Sequence, residues 1–346
     1  MLAPKDSTDG RIHSSRFPSG RIGVLLVNLG TPDGYDKKNM RKYLKEFLSD
    51  RRVIETPKII WWPLLNGVIL NTRPKKSGAL YESIWNKERN ESPLRTFTRS
   101  QGEQLAERLN GVENLIVDWA MRYGKPSIES RIIALQKVGC DRILIFPLYP
   151  QYSATTTATV NDKAYEAVMK MRWMPALRSV PAYYQEPAYI EALGQSVQQH
   201  LDGQDYSPEH IIASYHGLPQ SYYDKGDPYY QHCLETSNLL REHMGWSNEY
   251  LITTFQSRFG PEEWLKPYTD ETVVNLAEKG VKRIAVMNPG FASDCLETLE
   301  EIDGEVREEF INHGGDKFSH IPCLNDGELG LKLIEDIVLR ELQGWI

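Results

Sequence analysis

The sequence of 346 residues has little of what marks secreted, zinc-binding or nucleic-acid-binding proteins. Its four cysteines have no paired spacing, which argues against a disulfide framework or a zinc site and favours reduced thiols in the cytoplasm. The net charge of -7 and the lack of an evident Lys and Arg cluster argue against nucleic acid as a partner. Residues 1–20 are polar and lack the apolar segment of a secretory signal, and we expect them to form a flexible tail.

A membrane-spanning helix needs ~20 apolar residues in succession, and the sequence has no such run. Residues 59–70 are apolar over a shorter stretch, which Pro63 and Gly67 interrupt. A buried helix is one interpretation of this segment. The other is an exposed apolar lip, with Trp61 and Trp62 suited to the boundary of a membrane or of a flat apolar ligand. The second interpretation predicts a cytoplasmic protein that contacts the inner membrane peripherally through residues 59–70. We separately expect the protein to be a monomer.

The composition is that of a globular protein, with 40% hydrophobic and 25% charged residues, and the length predicts two domains. Short β-rich runs alternate with longer amphipathic ones, which predicts an α/β fold with parallel sheets and right-handed crossovers. The predicted strands are residues 22–28, 115–122, 142–147, 177–183, 211–216, 251–256 and 283–288.

Two pairs of segments share a pattern of strand, glycine and turn and indicate an internal repeat. The pairs are residues 27–32 with 214–219, and residues 138–147 with 279–288. Their alignment places Leu29 opposite His216 and Thr156 opposite Glu297, so one half is neutral where the other carries an imidazole and a carboxylate. Two lobes related by a pseudo-twofold axis, with a cleft between these walls, are one interpretation. The generic strand–turn geometry of α/β folds is the other.

The strongest candidates for chemistry follow two predicted strands. His216 directly follows one strand, and Asp294, Glu297 and Glu301 are spaced i, i+3, i+7 after another. A helix there would carry three carboxylates on one stripe, which repel one another unless a cation or protons compensate them. His216 and Glu297 suit either divalent metal binding or proton transfer, because histidine titrates near pH ~6.5. A hydrogen-bonded histidine and a solvated helix face are the interpretations without chemistry.

Other residues indicate the kind of ligand. Arg122 and Tyr123 end a predicted strand with a cation and a ring, Arg73 follows the apolar lip, and Trp264 lies in a loop after a strand. Aromatic and apolar walls with a few arginines suit a large flat apolar ligand that carries peripheral carboxylates. Ordinary packing or a surface ion pair is the alternative for each residue taken singly.

Five motifs, in this order along the chain, closely resemble the ferrochelatase family, whose members insert ferrous iron into a porphyrin. They are VNLGTP at 27–32, MRY at 121–123, SYHGLP at 214–219, GPEEWL at 260–265 and FASDCLETL at 291–299. The resemblance implies a bilobal chelatase fold of two Rossmann-like four-stranded parallel-sheet domains. We place these at residues 21–170 and 171–326, with a C-terminal helix at 327–346 that packs back on the first lobe.

The resemblance also implies a role for each residue that matches the family by position. His216 and Glu297 correspond to the catalytic pair and to the metal ligands, and Asp294 and Glu301 to the acidic row that leads protons or metal away. The positions that correspond to porphyrin-binding residues are Leu29, Arg73, Tyr81, Ser92, Arg122, Tyr123, Trp264 and Phe291.

The activity that the resemblance implies is that of a lyase that inserts Fe²⁺ into protoporphyrin IX in the last step of haem biosynthesis. Leu29 is apolar where coproporphyrin-using members tend to have Tyr, which favours protoporphyrin. Cys295 stands where animal members carry His, so a metal route through a second imidazole is absent here, and a thiolate is one candidate to replace that imidazole. No cysteine follows Cys323, and we expect no iron–sulfur cluster, which needs about four clustered thiolates. Fe²⁺ is then a substrate and the protein has no cofactor.

Three alternatives to this activity stay open at the level of sequence. Two are related enzymes, one that uses coproporphyrin III and one that inserts another metal. The third is a bilobal carrier of porphyrin or metal without catalysis, because a fold does not fix a function.

Overall fold

The computed structural model describes residues 19–346, so the predicted tail at 1–20 lies almost wholly outside the described residues. The chain divides into two compact units. The first contains the described residues up to Leu148, with Ala154–Pro181 and Leu331–Ile346. The second contains Tyr149–Ser153 and Ala182–Gly330.

The first unit is built on a four-stranded parallel sheet with the strand order β2-β1-β3-β4. Its strands are β1 (Arg21–Gly30), β2 (Leu115–Tyr123), β3 (Cys140–Pro147) and β4 (Ala176–Ser179). The apolar run of β1 is buried on both faces, as is typical of a central parallel strand that helices cover. Because β4 pairs with β3, the predicted domain boundary at residue 170 comes too early, and the first unit continues to Pro181.

The second unit repeats this arrangement with the strand order β6-β5-β7-β8. Its strands are β5 (His210–His216), β6 (Leu251–Gln256), β7 (Arg283–Met287) and β8 (Lys317–Ile321). Both sheets are parallel and have the same connectivity, so the predicted pair of four-stranded parallel sheets is confirmed. The sequence interpretation missed β8, a five-residue edge strand with only two apolar residues, Phe318 and Ile321.

Helices connect the strands of each sheet. In the first unit they are α1 (Lys37–Phe47), α2 (Lys58–Leu64), α3 (Leu70–Ile84), α4 (Pro93–Arg108), α5 (Ile128–Lys137) and α6 (Thr159–Val168). In the second they are α7 (Pro187–Asp202), α8 (Gln220–Asp224), α9 (Tyr229–Met244), α10 (Thr269–Glu278) and α11 (Arg307–Asn312). None of the helices within residues 19–346 combines the length and the apolar character that crossing a bilayer requires.

The last helix, α12 (Glu328–Glu341), brings the C-terminal residues to the first unit. Glu335 lies 3.2 Å from the Arg108 guanidinium of α4. Arg142 of β3 donates a hydrogen bond of 2.8 Å to the carbonyl oxygen of Trp345. These contacts attach α12 and the residues after it to α4 and β3 of the first unit.

Three segments are π-helical, a form that is rare and often found at functional sites. They are π1 (Leu65–Ile69), π2 (Ala154–Ala158) and π3 (Glu297–Val306). The segment π2 follows β3 and π3 follows β7, so the internal repeat extends beyond the strands. The residues of π2 are neutral, whereas those of π3 include several carboxylates.

Candidate active site

His216 lies at the carboxyl end of β5, where open parallel sheets commonly build ligand sites. Its Nδ1 is 2.7 Å from the carbonyl oxygen of Gly217. Because a carbonyl oxygen only accepts hydrogen bonds, Nδ1 carries a proton, and in the neutral imidazole the lone pair is therefore on Nε2. The ring is half-buried, so Nε2 is able to accept a proton or to bind a cation.

The loop that carries Trp264 packs against the turn after His216. Trp264 forms an isolated β-bridge with Pro219. A Cβ at Gly217 would lie 3.1 Å from the indole and 2.7 Å from the carbonyl oxygen of Gln256, so this close approach requires glycine. Trp264 is buried, and its Nε1 has no hydrogen-bond partner within the part of the chain that the structure describes. The predicted aromatic residue therefore contacts the strand end that positions the imidazole.

Glu301, in π3, accepts three hydrogen bonds from the two residues that end and follow β6. Ser257 donates its N–H to Oε1 at 2.6 Å and its hydroxyl to Oε2 at 2.5 Å. The Gln256 amide donates to Oε2 at 3.2 Å. Burial raises the pKa of Glu301, the hydrogen bonds and the charge of His216 oppose that rise, and the Glu297 carboxylate adds to it. The imidazole and the two carboxylates are thus electrostatically linked.

Gln256 connects this acidic row to a buried polar network behind the site. Its amide nitrogen also donates to the carbonyl oxygen of Glu297 at 2.7 Å. Its amide oxygen accepts from the Ser214 hydroxyl and from the Asn288 amide, both at 2.8 Å. His320 Nε2 lies 3.2 Å from the Asn288 oxygen, so it donates there. These successive donors fix the orientation of both amides and hold the start of π3 against the strand ends.

Asp294 does not belong to the predicted stripe of carboxylates. It precedes π3, is buried, and accepts hydrogen bonds from the Asn325 amide at 2.6 Å and the Thr298 hydroxyl at 2.8 Å. The prediction of one i, i+3, i+7 stripe is wrong, because the helix begins after Asp294 and each π-helical turn takes one residue more than an α-helical turn. Asp294 instead anchors the turn that leads into π3.

Glu301 lines a cavity of about 680 Å³ in the second unit. Further carboxylates line it, including Glu305 and Glu309. Arg258 forms an ion pair of 2.9 Å with Asp270 at the same cavity. The acidic character of π3 therefore extends from Glu301 along a solvent-accessible wall.

In the first unit, Arg122 and Tyr123 share one carboxylate, that of Asp50. The Arg122 guanidinium pairs with Asp50, and the Tyr123 hydroxyl donates to it at 2.8 Å. Thr159 donates its hydroxyl to Asp50 at 2.5 Å and accepts from Arg122 Nε at 2.6 Å. The Arg122 and Asp50 side chains are only 4% and 9% exposed, so this is a buried ion pair. Arg122, which the sequence interpretation assigned to a carboxylate of the substrate, is therefore already paired with a carboxylate of the protein.

The other predicted residues of the first unit have varied surroundings. Leu29 is half-buried near the end of β1, the position that corresponds to His216 at the end of β5. Tyr81 is buried edge-on against two other aromatic rings, and the Ser92 hydroxyl caps α4 by accepting from the backbone of that helix. Arg73 is exposed on α3.

The predicted site residues thus form two groups, one in each unit. The group in the second unit is His216, Trp264, Phe291, Asp294, Glu297 and Glu301. The group in the first unit is Leu29, Arg73, Tyr81, Ser92, Arg122 and Tyr123. Within residues 19–346, no three His, Cys, Asp or Glu side chains are arranged to hold a metal ion, and the assignment of His216 and Glu297 as metal ligands stays a prediction.

Sequence comparison agrees with this arrangement of motifs. Residues 21–342 match the family described as ferrochelatase. The chain is 63% identical over 327 residues to the ferrochelatase of Rhizobium meliloti, covering 94% of this chain and 96% of that protein. The ferrochelatase of Brucella anthropi is 64% identical over 326 residues, covering 94% and 93%. The chain belongs to the ferrochelatase family.

Solved structures show the same fold at much lower identity. SirB from Bacillus subtilis, solved with Fe³⁺, matches with a TM-score of 0.55 at 12% identity, covering 94% of this chain and 96% of that one. The sirohydrochlorin chelatase SirB, solved with cobalt, matches with a TM-score of 0.52 at 11% identity, covering 94% and 95%. These likenesses support the predicted two-domain chelatase fold for this member of the ferrochelatase family.

One departure of this chain from animal members of the ferrochelatase family is Cys295. Its side chain is buried. Burial raises the pKa of the Cys295 thiol well above its usual range, and the adjacent Glu297 carboxylate acts in the same direction. The thiol is therefore protonated at neutral pH, which argues against the predicted thiolate substitute for histidine.

Sequence interpretation missed several residues around this ferrochelatase-family site. Gln256 and Ser257 stand at the end of β6, next to the strand end that carries His216. Their position after a predicted strand was a usable signal, because the carboxyl ends of parallel strands share one edge of a sheet. Asp50 follows α1 in a loop, and nothing in the sequence indicates that it meets Arg122 across a separation of 72 residues.

Proposed function

We propose that this chain inserts Fe²⁺ into protoporphyrin IX to form protohaem, the last step of haem biosynthesis. Family membership supports iron insertion into a porphyrin. The observation that carries the proposal is the fixed tautomer of His216, which leaves the Nε2 lone pair at a strand end beside an acidic row. A lone pair linked to carboxylates suits a reaction that must remove protons from its substrate.

The reaction must release two protons for each iron inserted. A free porphyrin carries two ring N–H groups, and Fe²⁺ replaces both protons when it binds the four ring nitrogens. His216 Nε2 accepts a proton from a pyrrole N–H, and Glu297 and Glu301 pass it toward the acidic cavity. A positioned general base of this kind contributes typically ~10² to 10⁴-fold to the rate. Asp294 does not pass the proton in this scheme, because its carboxylate already accepts hydrogen bonds from Asn325 and Thr298. It anchors the acidic row instead.

Porphyrin distortion is the second requirement. A planar macrocycle leaves no direction from which a metal ion reaches the nitrogen lone pairs, so a pyrrole ring must tilt. Binding contacts along the edge of the macrocycle supply that strain energy when they fit the tilted form better than the planar one. The apolar and aromatic residues Leu29, Trp264 and Phe291 are those that we assign to this contact.

Fe²⁺ binding by His216 and Glu297 is an alternative use of the same pair. An imidazole nitrogen and a carboxylate together suit first-row divalent ions. Nε2 has one lone pair, so it is not able to hold iron and accept a proton at the same moment. The two roles are therefore successive steps or belong to different residues.

The first test is anaerobic Fe²⁺ insertion into protoporphyrin IX and coproporphyrin III, followed optically with the native chain. We expect faster insertion into protoporphyrin, because apolar Leu29 favours the more apolar vinyl-bearing edge, and a smaller preference in Leu29→Tyr. Faster insertion into coproporphyrin would contradict the substrate assignment. Tight porphyrin binding without insertion would reject the enzyme and favour the carrier. Faster insertion of another divalent metal would reject iron as the substrate metal.

We propose no iron–sulfur cluster in this chain. Burial raises the pKa of all four cysteine thiols, to about 12 for Cys140. Cluster ligation requires thiolates close together, and Cys140 lies in the first unit while the other three lie in the second. Iron quantification and the visible spectrum of the purified protein provide the check.

The apolar lip at residues 59–70 supports a second part of the proposal, peripheral contact with an anionic membrane. Ile59 and Trp62 are 85% and 66% exposed, and Ile60, Leu64 and Val68 are exposed beside them. Residues 37–76 contain eleven Lys or Arg and only three Asp or Glu, although the chain as a whole is acidic. The sequence interpretation overlooked this cationic segment. Exposed apolar side chains flanked by cations match the interface of a bilayer that contains anionic lipids.

Vesicle sedimentation tests this membrane contact. We expect the native chain to bind vesicles of phosphatidylethanolamine and phosphatidylglycerol, and to bind them less at high salt. The double variant Ile59→Ser with Trp62→Ser should lose at least about tenfold in affinity, because each buried side chain contributes about 1.5–3 kcal/mol. Met169→Ser is the matched control, since Met169 is 80% exposed elsewhere in the first unit. Equal loss in the control, or binding to neutral phosphatidylcholine alone, would contradict the proposal.

A further inference from the structure

The backbone at Ser257 adopts a conformation that its residue type disfavours. Four non-glycine residues among those the structure describes have a positive φ, and the other three are Asn90, Asn114 and Asn325. Asparagine tolerates the left-handed region better than other residues with a Cβ. Serine lacks this tolerance, so the φ of 66° at Ser257 is unfavourable for its residue type. Such conformations persist where the surroundings hold them, and they cluster at functional sites.

The conformation of Ser257 directs two donors from one residue at one carboxylate. The N–H of Ser257 reaches Oε1 of Glu301 at 2.6 Å, and its hydroxyl reaches Oε2 at 2.5 Å. Each oxygen of Glu301 therefore has its own donor, and the pair forms a fork that fixes the rotation of the carboxylate. Charge-assisted bonds in such bidentate geometry are stronger and more specific than single neutral ones.

The Glu301 carboxylate has a second orientation available, away from Ser257. Glu301 lines the same cavity as Glu305 and Glu309, so a carboxylate released from the fork is free to turn toward water there. After that rotation, the Gln256 amide would keep its hydrogen bond to the backbone carbonyl oxygen of Glu297 but would lose its hydrogen bond to the Glu301 carboxylate. The position of Glu301 relative to His216 thus depends on Ser257.

We propose that Ser257 is a positioning residue that holds Glu301 in line with Glu297 and His216 for removal of the porphyrin protons. This inference rests on the proposed iron insertion. It predicts that the hydroxyl of Ser257 is needed for turnover and is not needed for binding porphyrin, which contacts other residues of the site.

Two substitutions separate the hydroxyl from the backbone strain. Ser257→Ala and Ser257→Gly both remove the hydroxyl, but only glycine relieves the strain, and we expect it to melt about 2 °C above the alanine variant. We expect kcat for Fe²⁺ insertion to fall about tenfold or more in both variants. Porphyrin affinity, measured by fluorescence quenching, should stay within about twofold of the native value. Asn114→Gly, at an exposed left-handed position in the first unit, is the control and should keep native kcat.

Each other outcome overturns the inference. Native kcat in Ser257→Gly, whatever the alanine variant does, would show that the hydroxyl is dispensable and that only the backbone conformation matters. Loss of porphyrin affinity in proportion to kcat in both variants would indicate general disruption of the site. Failure of the native chain to insert iron would reject the proposed function itself, before any variant is compared.

Discussion

Replacing His216 with alanine is expected to lower the rate of Fe²⁺ insertion by ~10² to 10⁴-fold while porphyrin binding changes little. Nε2, which carries the lone pair of the neutral imidazole when Nδ1 donates to the carbonyl oxygen of Gly217, is the basic atom that we assign to the pyrrole N–H. Alanine removes that atom but leaves β5 and its sheet pairing unchanged. The measurement is single-turnover insertion under anaerobic conditions, with porphyrin affinity determined separately by fluorescence.

The control for this variant is His210→Ala, at the opposite end of the same strand. His210 lies at the start of β5, where its Nδ1 is 2.7 Å from the carbonyl oxygen of Glu249. Both substitutions remove one imidazole from one end of β5, and only the one at the carboxyl end should affect turnover. Native kcat in His216→Ala would contradict its role as base or metal ligand. A similar loss in both variants would assign the effect to β5 rather than to the site.

Asp50→Asn is expected to destabilise the protein by about 3–5 kcal/mol, because it leaves the Arg122 guanidinium buried without its carboxylate. Burial alone would raise the pKa of Asp50, but hydrogen bonds from Thr159 and the backbone, the charge of Arg122 and a hydrogen bond from Tyr123 together lower it. A lowered pKa means that this contribution is present above the unfolded value of ~3.9 and is lost as the pH falls through the folded value. Urea unfolding as a function of pH measures both effects.

An exposed ion pair of the same unit provides the comparison for Asp50. Arg52 and Asp162 are 2.8 Å apart with side chains 45% and 44% exposed, and such pairs contribute about 0–1 kcal/mol. Asp162→Asn should therefore have little effect on urea unfolding at any pH. In acid, below the folded pKa of Asp50, the native chain and Asp50→Asn should converge. Equal stability of the two at neutral pH would contradict the buried-pair argument.

The strands and the site motifs were accessible from the sequence because they depend on local patterns. The apolar runs of β1, β5 and β7 are nearly continuous, and each is followed by a turn or by polar residues. His216 and Glu297 stand out because strand ends in parallel sheets build sites. The resemblance to the ferrochelatase family then supplied the roles, and comparison with relatives confirmed the family.

The features of the site that the sequence did not predict depend on contacts between side chains and on backbone conformation, which the periodicity of apolar and polar residues does not encode. An acidic i, i+3, i+7 pattern predicts an α-helical stripe, but Asp294 precedes the helix, where Asn325 and Thr298 donate hydrogen bonds to its carboxylate, and π3 has a wider turn. The ion pair of Arg122 requires a loop residue 72 positions away. The left-handed backbone of Ser257 has no signature in its residue type, because serine ordinarily avoids it.

The order in which the two units appear along the chain constrains how the protein is made. The chain passes from one unit to the other after Leu148, Ser153, Pro181 and Gly330. Domains commonly fold as units during synthesis, the N-terminal one first. Here the first unit includes Leu331–Ile346, so it is complete only when those residues leave the ribosome, after the second unit has been synthesised. A nascent chain stopped before α12 therefore holds a finished second unit beside an unfinished first one, and premature termination there leaves the sheet of the first unit without its last helix.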